Sequence, residues 1–158
     1  MDVRTRLQVE RAVVSFWCDL QVIVGPYRPH TLLVGPSEAT ASILESLLAD
    51  FVQPVWFHDC ATAMDLPDEA ATVVLKGLEA LDVRAQHALM ARLDHAGARQ
   101  QIVSLSERSP FALVQRGQFL EPLYRRLSVV YLRFGNVEEQ PAGARTARER
   151  GAGVSGCQ

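Results

Sequence analysis

Cysteine is scarce in this chain. The three thiols, Cys18, Cys60 and Cys157, are odd in number, lie far apart and form no Cys-x-x-Cys pair. That excludes a disulfide framework and implies a reducing compartment. Long apolar runs are missing as well, and nothing approaches the ~20 residues that a membrane-spanning helix needs. The opening stretch, MDVRTRLQVERAVVSF, is charged throughout and does not read as a signal peptide. Excess positive charge is absent too. The net charge is −2, so no general basic field holds nucleic acid. No helix-turn-helix pattern closes the chain. These absences predict a cytoplasmic protein with no membrane anchorage and no direct DNA binding.

What is present is material for one ordinary core. Of 158 residues, 48% are hydrophobic, enough to fold without metals or cross-links. The apolar spacing predicts a helix over 3–20, from Val3, Leu7, Val13, Val14 and Trp17. Two prolines and a glycine make 22–29 a connector. Strands are predicted at TLLV (31–34), VWFH after Pro54, TVVL (72–75), QIVSL (101–105) and VVYL (129–132). Between them lie predicted helices over 41–51, from the Asp82 cap to about Ala96, a turn from Pro110, and 119–127. In the second of these, from Asp82 to about Ala96, Ala85, Ala88, Leu89 and Leu93 are expected to face inward. Strands alternating with helices predict an α/β three-layer sandwich around a parallel five-stranded sheet. The domain is expected over 1–135, with its core at 28–134. From 136 to 158, NVEEQPAGARTARERGAGVSGCQ has no apolar periodicity and reads as a flexible tail.

The stretch TLLVGPSEATAS joins a strand to a helix through a short loop. A phosphate loop wants Gly, four residues, then Gly-Lys-Ser/Thr. Gly35 and Ser42 stand at that spacing, but Thr40 and Ala41 occupy the Gly and Lys positions. Gly35, Ser37, Thr40 and Ser42 are therefore the candidate nucleotide-binding residues of a vestigial loop. The plainer reading is that Gly35 turns the chain and Ser42 faces solvent. On spacing alone, Thr40→Gly with Ala41→Lys should rebuild enough of the motif to bind ATP or ADP. His58, Asp59 and Cys60 invite a metal or nucleophile reading, yet no second Cys/His pair with ligand spacing exists. Packing explains them more simply. His87 and His95 lie too far apart on one helix to act together. Lys76 stands at a strand's C-terminal end, where α/β sheets bind ligands. It could attract a phosphate, or fill a vacant metal position near Glu38.

Two later segments carry a resemblance to a known family. ATVVLKGLEALDVRAQHALMARL reads as strand, turn and helix, and QIVSLSERSPFALVQRGQFLEPLYRRLSVVYLRF follows it closely. Together they resemble the AAA+ domain of bacterial enhancer-binding activators, the ATPases that remodel sigma-54 RNA polymerase. That family has a Gln-x-x-Leu-Leu-x-x-Leu helix, echoed by Gln86, Leu89 and Leu93. It also has a Gly-x-Phe-Arg-Glu-Asp-Leu-Tyr-Tyr-Arg-Leu segment. Gly117, Phe119, Glu121, Leu123, Tyr124, Arg126 and Leu127 match it.

The departures fall on the chemistry. Phosphoryl transfer needs charge neutralisation, a metal and an oriented water. Ala41 replaces the loop lysine. Lys76 and Gly77 stand where the family has its Mg²⁺-linked Asp and catalytic Glu. Glu107 replaces the sensor Asn, and Leu120 replaces the first of two arginines offered to a neighbouring subunit. About a dozen residues fill the interval that in the family holds the sigma-54-gripping loop. The helical lid is missing. The resemblance thus implies a module with no catalytic residues, no metal and no cofactor, apart from ATP or ADP with Mg²⁺ should the vestigial loop bind. Its partner would be a protein, an intact AAA+ activator or a sigma-54 transcription component. It would be met through Tyr124, Arg125, Arg126 and Arg133, on the edge that faces the next subunit in the family's rings. The plainer reading of those arginines is a solvated helix face.

Overall fold

The computed structural model describes residues 18–96 and 99–134. In chain order these form helix α1 (described over 18–24), β1 (Thr31–Val34), α2 (Ser37–Leu47), β2 (Val55–Asp59), β3 (Thr72–Lys76), a 3-10 turn (Leu78–Ala80), α3 (Val83–Ala96), β4 (Gln101–Ser106), α4 (Phe111–Gln115), α5 (Glu121–Leu127) and β5 (Val130–Arg133). The five strands form one parallel sheet in the order β2-β3-β4-β1-β5. Strand β1 and strand β4 are buried along their whole length, as expected where helices cover both faces of a parallel sheet. On one face Leu89 and Leu93 of α3 and Leu123 and Leu127 of α5 pack over Leu32, Val73, Leu75 and Ile102. On the other, Leu20 and Ile23 of α1 and Leu44 and Leu47 of α2 pack over Leu33, Val74 and Val103. This is the predicted α/β sandwich.

Several boundaries differ from those predicted, for local physical reasons. Helix α1 runs through residue 24 rather than yielding to a connector at Val22, because Leu20 and Ile23 continue its buried stripe up to Gly25 and Pro26. Helix α2 occupies Ser37–Leu47, four residues earlier than the predicted 41–51. Pro36 takes the N-cap position with no side-chain hydrogen bond of its own, and Glu38 sits in the first turn, where a negative charge suits the helix dipole. Helix α5 starts at Glu121 instead of Phe119, with a proline in its first turn. Strand β5 is shifted by one residue, leaving Val129 exposed. Ala88 is exposed, and Gln86 takes the inward place on α3. Asp82 does cap α3, with its Oδ1 accepting the Ala85 N–H at 2.7 Å. Residues 1–17 and 135–158 lie outside the described residues, and with them most of the predicted first helix, the whole tail and the place where a lid would follow.

Side-chain amides fasten the layers together. Gln86 is fully buried; its Nε2 donates to the carbonyls of Leu81 and Gln118, each at 3.0 Å, and its Oε1 accepts the Leu120 N–H at 2.9 Å. It therefore holds the segment before α5 against α3. Gln101 does the same for the opposite layer, with Nε2 donating to the carbonyls of Ile23 (2.8 Å) and Pro29 (2.9 Å). Arg92 donates to the carbonyls of Leu66 (2.8 Å) and Pro67 (2.6 Å), and to Gln100 Oε1 at 3.0 Å. This anchors the short crossover between β2 and β3. Replacing Gln86 by Leu would leave three buried backbone groups without partners. The expected loss is about 3 kcal/mol of stability, read from the shift of the urea midpoint. A loss below about 1 kcal/mol would show that water or repacking satisfies those groups.

His30, just before β1, offers a pH test of the same frame. Its Nδ1 accepts the Ile102 N–H at 3.0 Å, so the bond needs the neutral imidazole. Burial, and then the nearby Arg126 guanidinium, hold its pKa below the ordinary 6.5. The folded state thus binds this proton less readily than the unfolded chain. The stabilisation is fully present above pH 6.5 and is lost as the pH falls towards the folded value. The urea midpoint should drop between pH 7.5 and 5.5, and should drop less in His30→Asn, whose amide oxygen can accept the same N–H. Equal pH dependence in the two proteins would contradict this role.

Candidate functional site

The C-terminal edge of the sheet begins at Gly35. It is buried, and its N–H donates to the Ser106 carbonyl at 3.0 Å. The chain leaving β5 returns the contact, with the Phe134 N–H donating to the Val34 carbonyl at 2.7 Å. A Cβ at position 35 would lie 2.5 Å from the Phe134 carbonyl oxygen, so only glycine fits. The same geometry occupies a backbone donor that a phosphate would otherwise use. Pro36 has no N–H to offer, and Ser37 is already the first residue of α2.

The four candidate loop residues are therefore not gathered around a cradle. Ser37 lies exposed at the helix start. Thr40 is buried inside the helix, with its Oγ1 donating to the carbonyls of Pro36 (3.3 Å) and Ser37 (3.2 Å). Ser42 is exposed more than a turn further on. The sequence predicts a loop over 35–40 before a helix from 41, where the structure has a helix from Ser37 onward. The first-turn N–H groups of α2 still point outward, alongside the exposed carboxylate of Glu38.

At the end of β3, Lys76 is exposed. Its Nζ lies 5.4 Å from the centroid of the Phe57 ring on β2, a cation–π contact. Gly77 then takes the left-handed conformation, with φ of 69°, and starts the 3-10 turn. Glu79 in that turn was not singled out from the sequence. The Ser106 Oγ lies 2.5 Å from Glu79 Oε2 and 2.5 Å from the Arg108 carbonyl. A carboxylate is thus present at these strand ends, but it is engaged with β4 and belongs to the turn, not to the strand. No local pattern marks it, since the contact joins residues 27 apart.

The His58, Asp59, Cys60 group disperses in space. Asp59 Oδ1 accepts the Ala61 N–H at 2.9 Å, closing a turn. Cys60 is buried in the core, and burial, then Asp59 and Glu79, push its thiol up to about 12. It stays protonated and inert at neutral pH. His58 is buried with its Nε2 unpartnered. Among the described residues no three His, Cys, Asp or Glu side chains gather as a metal site would require. His87 and His95 are both exposed.

The candidate interaction residues divide between two ends of the last strand. Arg126, near the start of β5, forms an ion pair with Asp94 of α3. Arg133 ends that strand and is exposed. Arg125 pairs with Glu121 one turn earlier at 2.7 Å, both side chains open to solvent, where such pairs contribute little. Tyr124 is half-buried, its ring 5.9 Å from that of Phe111. Its hydroxyl pKa is raised, chiefly by burial.

The close packing at Gly35 can be tested without any ligand. Gly35→Ala should lower stability by about 1–3 kcal/mol, as overpacking does, in thermal or urea unfolding of the nucleotide-free protein. An unchanged midpoint would mean that Phe134 does not hold this strand end.

No protein-family profile and no curated protein matches the chain. Solved structures do. NtrX from Brucella abortus, in complex with ATP, is similar at a TM-score of 0.64 and 18% identity, over 78% of this chain and 35% of that one. The P-loop NTPase domain of a sigma-54 activator from E. coli is similar at a TM-score of 0.59 and 14% identity, over 78% of this chain and 96% of that one. A RuvB variant from Thermotoga maritima follows at a TM-score of 0.56 and 14% identity, over 79% of this chain and 45% of that one. The chain spans about a third of the length of the NtrX chain it matches. Its fold is that of the P-loop NTPase domain, as in the sigma-54 activator that the residues around Gln86 and Tyr124 resemble.

Proposed function

We propose that this chain is a non-catalytic AAA+-like module that acts in transcription regulation through protein contacts. The observation that supports this most is the start of α2 at Ser37, directly after the buried Gly35 and Pro36. Residues 37–42 are helical where a phosphate loop would be open, and no lysine stands among them. At the end of β3, Lys76 and Gly77 stand where the family has its Mg²⁺-linked Asp and catalytic Glu, so neither a metal anchor nor a group to orient water is offered there. The partner is an intact AAA+ activator or a sigma-54 transcription component, in keeping with the fold shared with the sigma-54 activator domain. Neither DNA nor a membrane is a partner in this reading; no helix among the described residues is long and apolar enough to cross a bilayer.

A second reading is a residual ATP or ADP switch. Its support is the outward first turn of α2, together with the ATP named in the similar NtrX structure. Titration calorimetry with ATP, ADP and Mg²⁺ separates the two. The expected result is no binding tighter than about 1 mM, roughly 4 kcal/mol, and no turnover above background. Co-purification with an intact activator ATPase would support the module. Binding in the micromolar range would replace it with the switch.

The paired change Thr40→Gly and Ala41→Lys has a different expected outcome on this structure than on motif spacing alone. Both positions lie within α2, so the change puts glycine into a helix and deletes the inward bonds of Thr40. Stability should fall by about 1 kcal/mol, with no gain in nucleotide affinity. A variant that binds ATP would show that the helix start unwinds readily into a loop.

A further inference from the structure

We propose that the open edge of β2 is a docking site for an extended, cationic segment of another protein, which adds to the sheet as a sixth strand. This surface is separate from the Arg126 edge and from the start of α2, and does not depend on what either of them binds. Among the described residues, strand β2 pairs only with β3 and ends the sheet. The Cys60 N–H donates to the Lys76 carbonyl, and the Pro54 carbonyl accepts from Thr72. Even-numbered residues therefore bond toward β3. Alternation turns the N–H and C=O groups of Val55 and Phe57 to the open side. Pro54 bounds this edge below, and the turn closed by Asp59 bounds it above. The template is short and defined.

Its side chains suit a partner. Trp56 is 46% exposed and Phe57 45% exposed, and successive residues place them on opposite faces of the sheet. An added strand would be flanked by an aromatic ring on each face. A bare edge strand of this kind is usually blunted by lysine or by a covering element. Among the described residues nothing pairs with it.

Charge selects the occupant. Between residues 29 and 75 the chain has no Lys or Arg but seven acids, Glu38, Glu45, Asp50, Asp59, Asp65, Asp68 and Glu69. Asp50 precedes β2 and Asp59 ends it, while Asp65, Asp68 and Glu69 are exposed on the crossover that leaves it. Two cations oppose them. Arg92 pairs with Asp68 at 3.3 Å, and Lys76 lies on the Phe57 ring. The balance at this edge stays negative. A second copy would bring the same acids face to face, whereas a strand with Lys or Arg between apolar residues would meet opposite charge. β-Strand addition draws affinity from main-chain bonds and selectivity from such side chains.

Fluorescence anisotropy of labelled short peptides against the full chain tests this. A peptide alternating Lys and Val should bind saturably; its counterpart alternating Glu and Val should not. Raising salt from about 0.05 to 0.5 M should weaken binding tenfold or more through screening. Phe57→Pro deletes an edge donor while leaving the bonds to β3, and should weaken binding at least tenfold. Should that variant fail to fold, Asp65→Lys with Glu69→Lys keeps the backbone and should shift preference to the Glu-Val peptide. Equal binding of both peptides, or no saturation by about 1 mM, would overturn the proposal. So would a wild-type dimer in sedimentation that dissociates on Phe57→Pro, since a second copy would then hold the edge. Nucleotide titration is blind to these variants, so this edge and the module reading succeed or fail separately.

Discussion

The approach of Phe134 to Gly35 is the constraint from which the rest of the candidate site follows. Strand β1 lies between β4 and β5, and its end is tied to both. Gly35 donates to Ser106 on one side, and Val34 accepts from Phe134 on the other. With these bonds made, the chain can leave the sheet only through Pro36. Proline has no N–H that needs a partner there, and Glu38 in the first turn complements the positive end of the helix dipole. The glycine is thus required for packing, and its requirement says nothing about phosphate. A motif search sees the same glycine and cannot distinguish the two demands.

That distinction explains which parts of the protein were legible in the sequence. Strand β1 and the helix capped by Asp82 rest on local signals, an apolar run after a turn and an acid before a helical stripe. The structure keeps both. The start of α2 was signalled as well, by Pro36 and Glu38, but motif spacing imposed a loop over that signal. The start of α5 was not legible. Phe119 and Leu120 continue an apolar pattern that suits a helix, yet Gln86 takes the Leu120 N–H from a different element. Val129 and Val130 are both strand formers, and pairing of Val130 with Thr31 decides between them. In these last two misses, a contact between residues distant in sequence overrides a local preference, whereas at α2 the local signal itself was right.

The glutamines show a second limit of reading by composition. Gln86, Gln100 and Gln101 are all buried, although glutamine is usually a surface residue. Each amide both serves as filler and satisfies backbone groups that the short connections leave unpaired. Gln100 Nε2 reaches the Ala70 carbonyl at 2.7 Å while its Oε1 accepts from Arg92. Of the three, only Gln86 stood out beforehand, through the resemblance to the activator helix. The other two belong to the anchoring of the short β2–β3 crossover and of α1, features for which the resemblance offers no template.

The short crossover also changes what the sheet can present. Here Arg92 draws the connection down by the carbonyls of Leu66 and Pro67, and Met64, Leu66 and Ala70 pack into the core beside Cys60. The apolar residues of the crossover are used up in that packing, so its acids are the ones left at the surface. Trp56 and Phe57 stay uncovered for the same reason. The Lys76 ammonium lies over the Phe57 ring beside it. The short connection thus accounts together for the exposed strand edge and the acidic border around it.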